Sequence, residues 1–227
     1  HQSLGRWLLD VFKAGLLGAG LGLAAVEIVY GLLRVTPWWW LWGAAIFLAG
    51  YALLALVAPV WLVPLFYRVT PLPDGPLRTR LLTLAERVGV PVTGIWVVDQ
   101  SRKSRTANAA VTGLGRTRRI LLFDTLLNGF TPDEIAAVVA HELAHQLQGD
   151  LRRGLLVQGA LTLVTFWVAS HALTAGARWL ALEGPADPAG LPFFGLVLLV
   201  VSLVALPMAN SWSRHVERSA DRFALET

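Results

Sequence analysis

His141 and His145 stand four residues apart with Glu142 beside the first, in the run His141-Glu142-Leu143-Ala144-His145. On a helix that spacing puts both imidazoles on one face, one turn above the other. Two imidazole nitrogens so placed can bind a single zinc ion, and a neighbouring carboxylate can take a proton from water at the metal. An HExxH element of this kind predicts metal-assisted hydrolysis; the plainer alternative is a surface helix that happens to carry two histidines.

A helix is independently signalled. Thr131-Pro132-Asp133-Glu134 is a start: a capping Thr, a Pro whose missing N–H costs nothing in the first turn, and a Glu three residues after the cap. Ile135, Val138 and Val139 then follow at helical spacing, and Gly149 is a natural stop. The metal motif therefore lies near the end of a helix about four turns long.

Two histidines do not complete a site, because zinc hydrolases use three protein ligands as a rule. His1 is terminal, and His171 lies alone in an apolar run, where a packed or bundle-facing role is the simpler reading. The better third ligand is in the tail. Asn210, Arg214, Glu217 and Asp221 fall at i, i+4, i+7 and i+11 and share one helix face, with His215 on another. Glu217 is the expected carboxylate ligand. Asp221, one turn on, is placed to accept the outer N–H of a ligating histidine, with Asn210 and Arg214 supporting from the same face. An ordinary charged amphipathic tail is the alternative, and taken alone it would win; it loses because an even number of membrane runs between the two motifs returns the tail to the side bearing the histidines. The expected cofactor is one zinc ion. The chain has no cysteine, which excludes disulfides, thiolate ligands and cysteine nucleophiles.

The elements that must position these residues are largely apolar. Hydrophobic residues make up 55% of the chain and charged residues 15%, well below the usual charged share of about 25%. Four runs are long enough to cross a bilayer, which takes about 20 apolar residues: Ala14–Leu33, Val35–Tyr67, Gly154–Ala177 and Ala189–Ser213. Trp38-Trp39-Trp40 opens the second and reads as an interfacial belt. Arg6, Lys13, Arg68, Arg152, Arg153, Arg214, Arg218 and Arg222 collect on one side of these spans, which the positive-inside rule assigns to the cytoplasm. A multi-pass protein of a bacterial inner membrane, with its site on the cytoplasmic side, is expected. The pI near 10.1 suits contact with anionic lipid headgroups, and no basic platform interleaved with aromatics invites nucleic acid.

Between the second and third runs, residues 68–153 hold twelve Lys/Arg and eight Asp/Glu. This segment reads as a small α/β unit. Its elements are an amphipathic helix over Asp74–Gly89, strands at Ile95–Val98, Ala107–Thr112 and Arg119–Phe123, a turn at Gly113-Leu114-Gly115, and a short helix capped by Asp124 and ending at Asn128-Gly129. The strand around Asn108, Ala109 and Ala110 is a candidate edge on which an extended peptide could add by β-augmentation; simple sheet packing is the alternative. The division expected is two membrane helices over 1–67, a cytosolic catalytic segment over 68–153, a membrane hairpin over 154–213 and a cytosolic helix over 210–227. The fold class is mainly α: a polytopic helical membrane protein with a small cytosolic α/β metallopeptidase unit.

From about Trp38 onward the chain resembles the type I CAAX prenyl proteases, integral-membrane zinc metallopeptidases. The resemblance rests on Arg68-Val69-Thr70-Pro71-Leu72-Pro73-Asp74-Gly75, on Asn108-Ala109-Ala110-Val111-Thr112-Gly113-Leu114 and on Arg119-Ile120-Leu121-Leu122-Phe123-Asp124-Thr125-Leu126-Leu127. HExxH and Ser213-Arg214-x-x-Glu217-x-x-Ala220-Asp221 complete it, as does a membrane hairpin between the two metal motifs. It implies that His141, His145 and Glu217 bind zinc and that Glu142 is the catalytic base. There are departures. Ala110 stands where the family has an aromatic, and Thr106-Ala107 where a Ser or His is usual. The family has seven spans around a large chamber and this chain has four runs, so it is expected to be a piece lacking three N-terminal spans, in keeping with its start at His1. The related HtpX-type quality-control peptidases have four spans and supply the alternative enzyme reading. A binding protein in which zinc merely staples the unit together is the alternative outside enzymes; Glu142, which a structural site does not need, speaks against it.

Overall fold

The computed structural model describes residues 3–113 and 115–226, with the side chains of 59, 60 and 116 left aside. His1 and Leu114 therefore lie outside the described residues. In chain order the helices are α1 (Leu4–Val35), α2 (Trp39–Val57), α3 (Val63–Phe66), α4 (Pro76–Arg87), α5 (Asp124–Gly129), α6 (Pro132–Gln148), α7 (Asp150–Trp179) and α8 (Leu191–Glu226). The strands are β1 (Val69–Pro71), β2 (Ile95–Val98), β3 (Ala109–Thr112) and β4 (Arg119–Phe123). The chain divides into two compact units. One comprises the segments up to Trp7, Leu53–Arg153 and from Ser213; the other comprises Leu8–Ala52 and Gly154–Trp212.

Four helices among the described residues are long and apolar enough to cross a membrane: α1, α2, α7 and α8 with the short turn before it. The helices outrun the apolar runs read from sequence, because the charged residues flanking those runs are helical too. The second run is the exception. Its helix ends at Val57, and a π-helical turn at Ala58–Leu62, with Pro in its first turn, breaks the path to α3. In the unit formed by Leu8–Ala52 and Gly154–Trp212, the core is aromatic. Trp39 is only 4% exposed and packs against Phe166 and Phe194, with ring centroids 5.9 and 6.2 Å away. Trp39 thus turns inward and leaves the expected belt, while Trp38 stays exposed. Gly43 permits this packing: a Cβ there would stand 2.6 Å from the Phe166 ring.

The other unit is built on a four-stranded sheet in the order β1-β2-β4-β3. β2 and β4 run parallel, and each edge strand is antiparallel to its neighbour. β2 and β4 occupy the positions read from sequence. β3 begins at Ala109, two residues later than expected, and β1 has no counterpart in the sequence reading. Three residues ending in a Pro give no alternating pattern, and the Pro is tolerated because β1 is an edge. Leu81 and Ala85 of α4 and Ile135, Val139 and Leu143 of α6 form one core with Ile95, Ile120 and Leu122 of the sheet. The amphipathic helix is shorter than expected, starting at Pro76 with Gly75 as its cap.

Asp124 does not cap α5. Its carboxylate instead accepts from the backbone N–H groups of Gln100 and Ser101, at 2.9 and 2.8 Å, and from the Ser101 hydroxyl. Burial alone raises its carboxyl, but these hydrogen bonds outweigh it and hold the group below the ordinary aspartate value.

Candidate metal centre

α6 begins as its sequence demands. The Thr131 N–H donates to Glu134 Oε2 at 2.7 Å and the Glu134 N–H donates back to Thr131 Oγ1, closing a capping box. Ile135, Val139 and Leu143 fix the buried face of α6, which turns His141, Glu142 and His145 to the other side. Gly149 ends the helix in the left-handed region, at φ 69° and ψ 34°.

The two imidazoles present their Nε2 atoms to each other at 3.3 Å. Glu217, on α8, brings Oε2 to 3.3 Å from His141 Nε2 and 3.9 Å from His145 Nε2. The tail thus returns to the HExxH helix. A tetrahedral ion with bonds of about 2.0–2.1 Å sets its ligand atoms about 3.3–3.4 Å apart; two edges of this triangle of two nitrogens and one carboxylate oxygen have that length, and the third, His145 to Glu217, is longer at 3.9 Å. The donor set suits zinc: two imidazoles and one carboxylate, with no thiolate in the chain.

The outer nitrogens are also held. His141 Nδ1 lies 3.0 Å from Asp221 Oδ1. His145 Nδ1 lies 2.9 Å from Asp150 Oδ2, a contact that sequence reading missed. The signal was present: Asp150 follows the helix-stopping Gly149, whose left-handed turn sets it beside the last turn of α6. Arg214 and Asn210 are exposed on α8. Among the described residues, His171 bonds within its own helix, through Nδ1 and the Trp167 carbonyl at 2.9 Å, and packs on the Trp167 ring.

Glu142 is half-buried next to the cluster. Burial lifts its carboxyl above the ordinary glutamate value; the two imidazoles pull it down and Glu217 pushes it up.

β3 is an edge strand, as expected for Asn108–Thr112. The Phe123 N–H donates to the Asn108 carbonyl at 3.0 Å. Alternation along the antiparallel pair then directs the main-chain groups of Ala110 and Thr112 to β4 and those of Ala109 and Val111 to the open edge. Two of the outward groups are taken. Asn108 Oδ1 accepts from the Ala109 N–H at 2.9 Å, and Gln146 Nε2 donates to the Val111 carbonyl at 3.0 Å. Among the described residues, the Ala109 carbonyl and the Val111 N–H have no hydrogen-bond partner.

The model of peptidase family M48 matches residues 71–227. CAAX prenyl protease 1 of Saccharomyces cerevisiae is 40% identical over 61% of this chain and 31% of its own length. A Bacillus subtilis protein described as uncharacterized metalloprotease YhfN is 29% identical over 99% of this chain and 54% of its own. The crystal structure of S. mikatae Ste24p shares the fold, with a TM-score of 0.84 at 24% identity, over 99% of this chain and 57% of that one. The chain therefore spans about half, or less, of the length of these relatives.

Proposed function

Because this chain belongs to peptidase family M48, we propose that it carries the catalytic half of a zinc-dependent membrane endopeptidase of the CAAX prenyl protease kind. The observation that carries the reading is the triangle of His141 Nε2, His145 Nε2 and Glu217 Oε2 with Glu142 alongside. His141, His145 and Glu217 are the proposed ligands of one zinc ion. Bound there, the ion supplies Lewis acidity that activates water and polarises the scissile carbonyl. Glu142 then takes the proton from the attacking water on a carboxylate oxygen and returns it to the nitrogen of the leaving amine. Asp221 holds His141 so that Nε2 carries the lone pair, and Arg214 and Asn210 are assigned supporting roles on the same helix face.

The substrate is a peptide bound in extended form along β3. The Ala109 carbonyl and Val111 N–H offer it one acceptor and one donor, with Asn108 beside them and the Ala110 side chain on the strand's other face. The site lies on the cytoplasmic side of a bacterial inner membrane in this reading, supported by the bases at the ends of the spans. The HtpX-like quality-control reading shares the chemistry and differs in substrate; similarity to the yeast CAAX enzyme over 141 residues favours the first.

The test is Glu142→Gln. The variant should keep zinc and lose peptide cleavage, since an amide cannot accept the proton. Cleavage at the parent rate would remove Glu142 from the chemistry; a zinc-loaded parent that cleaves no peptide would remove the hydrolytic reading.

A further inference from the structure

His145 is held by a residue that neither the HExxH element nor the tail contains. Gly149 takes the left-handed conformation, its N–H returns to the His145 carbonyl, and α7 begins at the next residue. The turn brings Asp150, the first residue of α7, to 2.9 Å from His145 Nδ1. Gly149 has open space where a Cβ would stand, so the glycine is there for its backbone conformation and not for packing.

The surroundings of Asp150 are costly for a carboxylate. Its side chain is 11% exposed, and Oδ1 is buried with no hydrogen-bond partner among the described residues. The nearest cation, Arg153, is 3.9 Å away and itself largely exposed. A carboxylate placed so poorly for its own hydration needs positive charge close by. The imidazole it grips supplies that charge when its other nitrogen is bound to a divalent cation. Each ligating histidine then has its own anionic anchor, Asp221 for His141 and Asp150 for His145.

We propose that Asp150, presented by the Gly149 turn, is the positioning residue of His145: it fixes the tautomer with Nδ1–H turned to its carboxylate and Nε2 free for the metal. The proposal rests on the zinc reading above and adds to it. It also makes residues 141–150 a unit that orients its second histidine without help from α8.

The experiment uses the whole chain in detergent, with zinc itself as the probe. Zinc affinity is measured by competition with a chelating dye, the melting temperature on metal-stripped protein, and the ligand field on the cobalt-substituted protein. Asp150→Asn should lower zinc affinity roughly 10–100-fold, shift the cobalt spectrum and leave the metal-free melting temperature unchanged. Asp150→Ala should lose at least as much affinity, since it also removes the acceptor. Parental zinc affinity in Asp150→Asn would overturn the assignment while leaving the zinc site standing. A variant that loses the metal-free fold together with the metal would make Asp150 a structural residue and overturn it equally. A parent that binds no zinc would remove the site and this assignment with it.

Discussion

Asp221 Oδ1 lies 3.0 Å from His141 Nδ1, on the side of the ring away from Glu217. One helix, α8, thus addresses both faces of the same imidazole, with Glu217 at the inner nitrogen and Asp221 one turn later at the outer one. Asp221→Asn keeps the shape and removes the charge. It should weaken zinc affinity or turnover by roughly 10–100-fold. A chelator competition on the purified variant reads this, and unchanged affinity with unchanged turnover would strip Asp221 of the role.

Glu142→Gln should reduce cleavage by about a hundredfold or more, the usual consequence of losing a general base. Zinc content should stay at the parental level. The two measurements separate a chemical defect from loss of the metal.

Gln146 sits one residue past His145 and ties α6 to the open edge of β3. Its Nε2 donates to the Val111 carbonyl, while Arg118 Nε donates to its Oε1 at 3.3 Å. Gln146→Leu frees that carbonyl to pair with an added strand in a second register. The expected result is cleavage of a test peptide at more than one position, with KM no higher than the parent's, since the substrate gains an acceptor and loses none. A single cleavage position would show that Gln146 does not set the register.

Asp124 makes the catalytic unit sensitive to acid. Its carboxyl is held below its ordinary value by hydrogen bonds from Ser101 and Gln100 that outweigh its burial, so the folded state binds the proton less readily than the unfolded chain. The stability this contributes is present above the unfolded value of about 3.9 and is lost as pH falls through the lower folded value. Asp124→Asn should lower the melting temperature at neutral pH and flatten its fall between about pH 4 and the folded value. Thermal melts of parent and variant across that range check it; parallel curves would contradict it.

The absence of cysteine makes orientation easy to read. The proposed topology, in which α7 and α8 each cross the membrane once, puts the loop between them on the side opposite Asp150 and Glu217. Glu183→Cys should react with an impermeant thiol reagent in intact cells and Arg118→Cys should not. The reverse pattern would put the metal centre outside the cytoplasm.

Much of this was legible in the sequence because the signals were local. The Thr131–Glu134 box, the four-residue histidine spacing and the i, i+7, i+11 face of the tail each fix geometry within one helix. That Glu217 meets His141 could be anticipated only from the even number of crossings between them. Asp150 escaped because its partner is reached through a left-handed turn, not along a helix face. Asp124 was misread as a cap because an Asp before a short helix looks like one. Its true partners, Gln100 and Ser101, are brought to it by the parallel pairing of β2 and β4. β1 and the inward turn of Trp39 were invisible for a related reason: both depend on what the rest of the fold places beside them.

The central claim is that His141, His145 and Glu217 together hold one zinc ion. The most direct measurement is the zinc content of the purified chain and of Glu217→Ala, determined by elemental analysis after dialysis against metal-free buffer. One ion per chain in the parent and marked loss in Glu217→Ala is the predicted result. A parent free of zinc, or a Glu217→Ala variant that retains its full complement, would contradict the account.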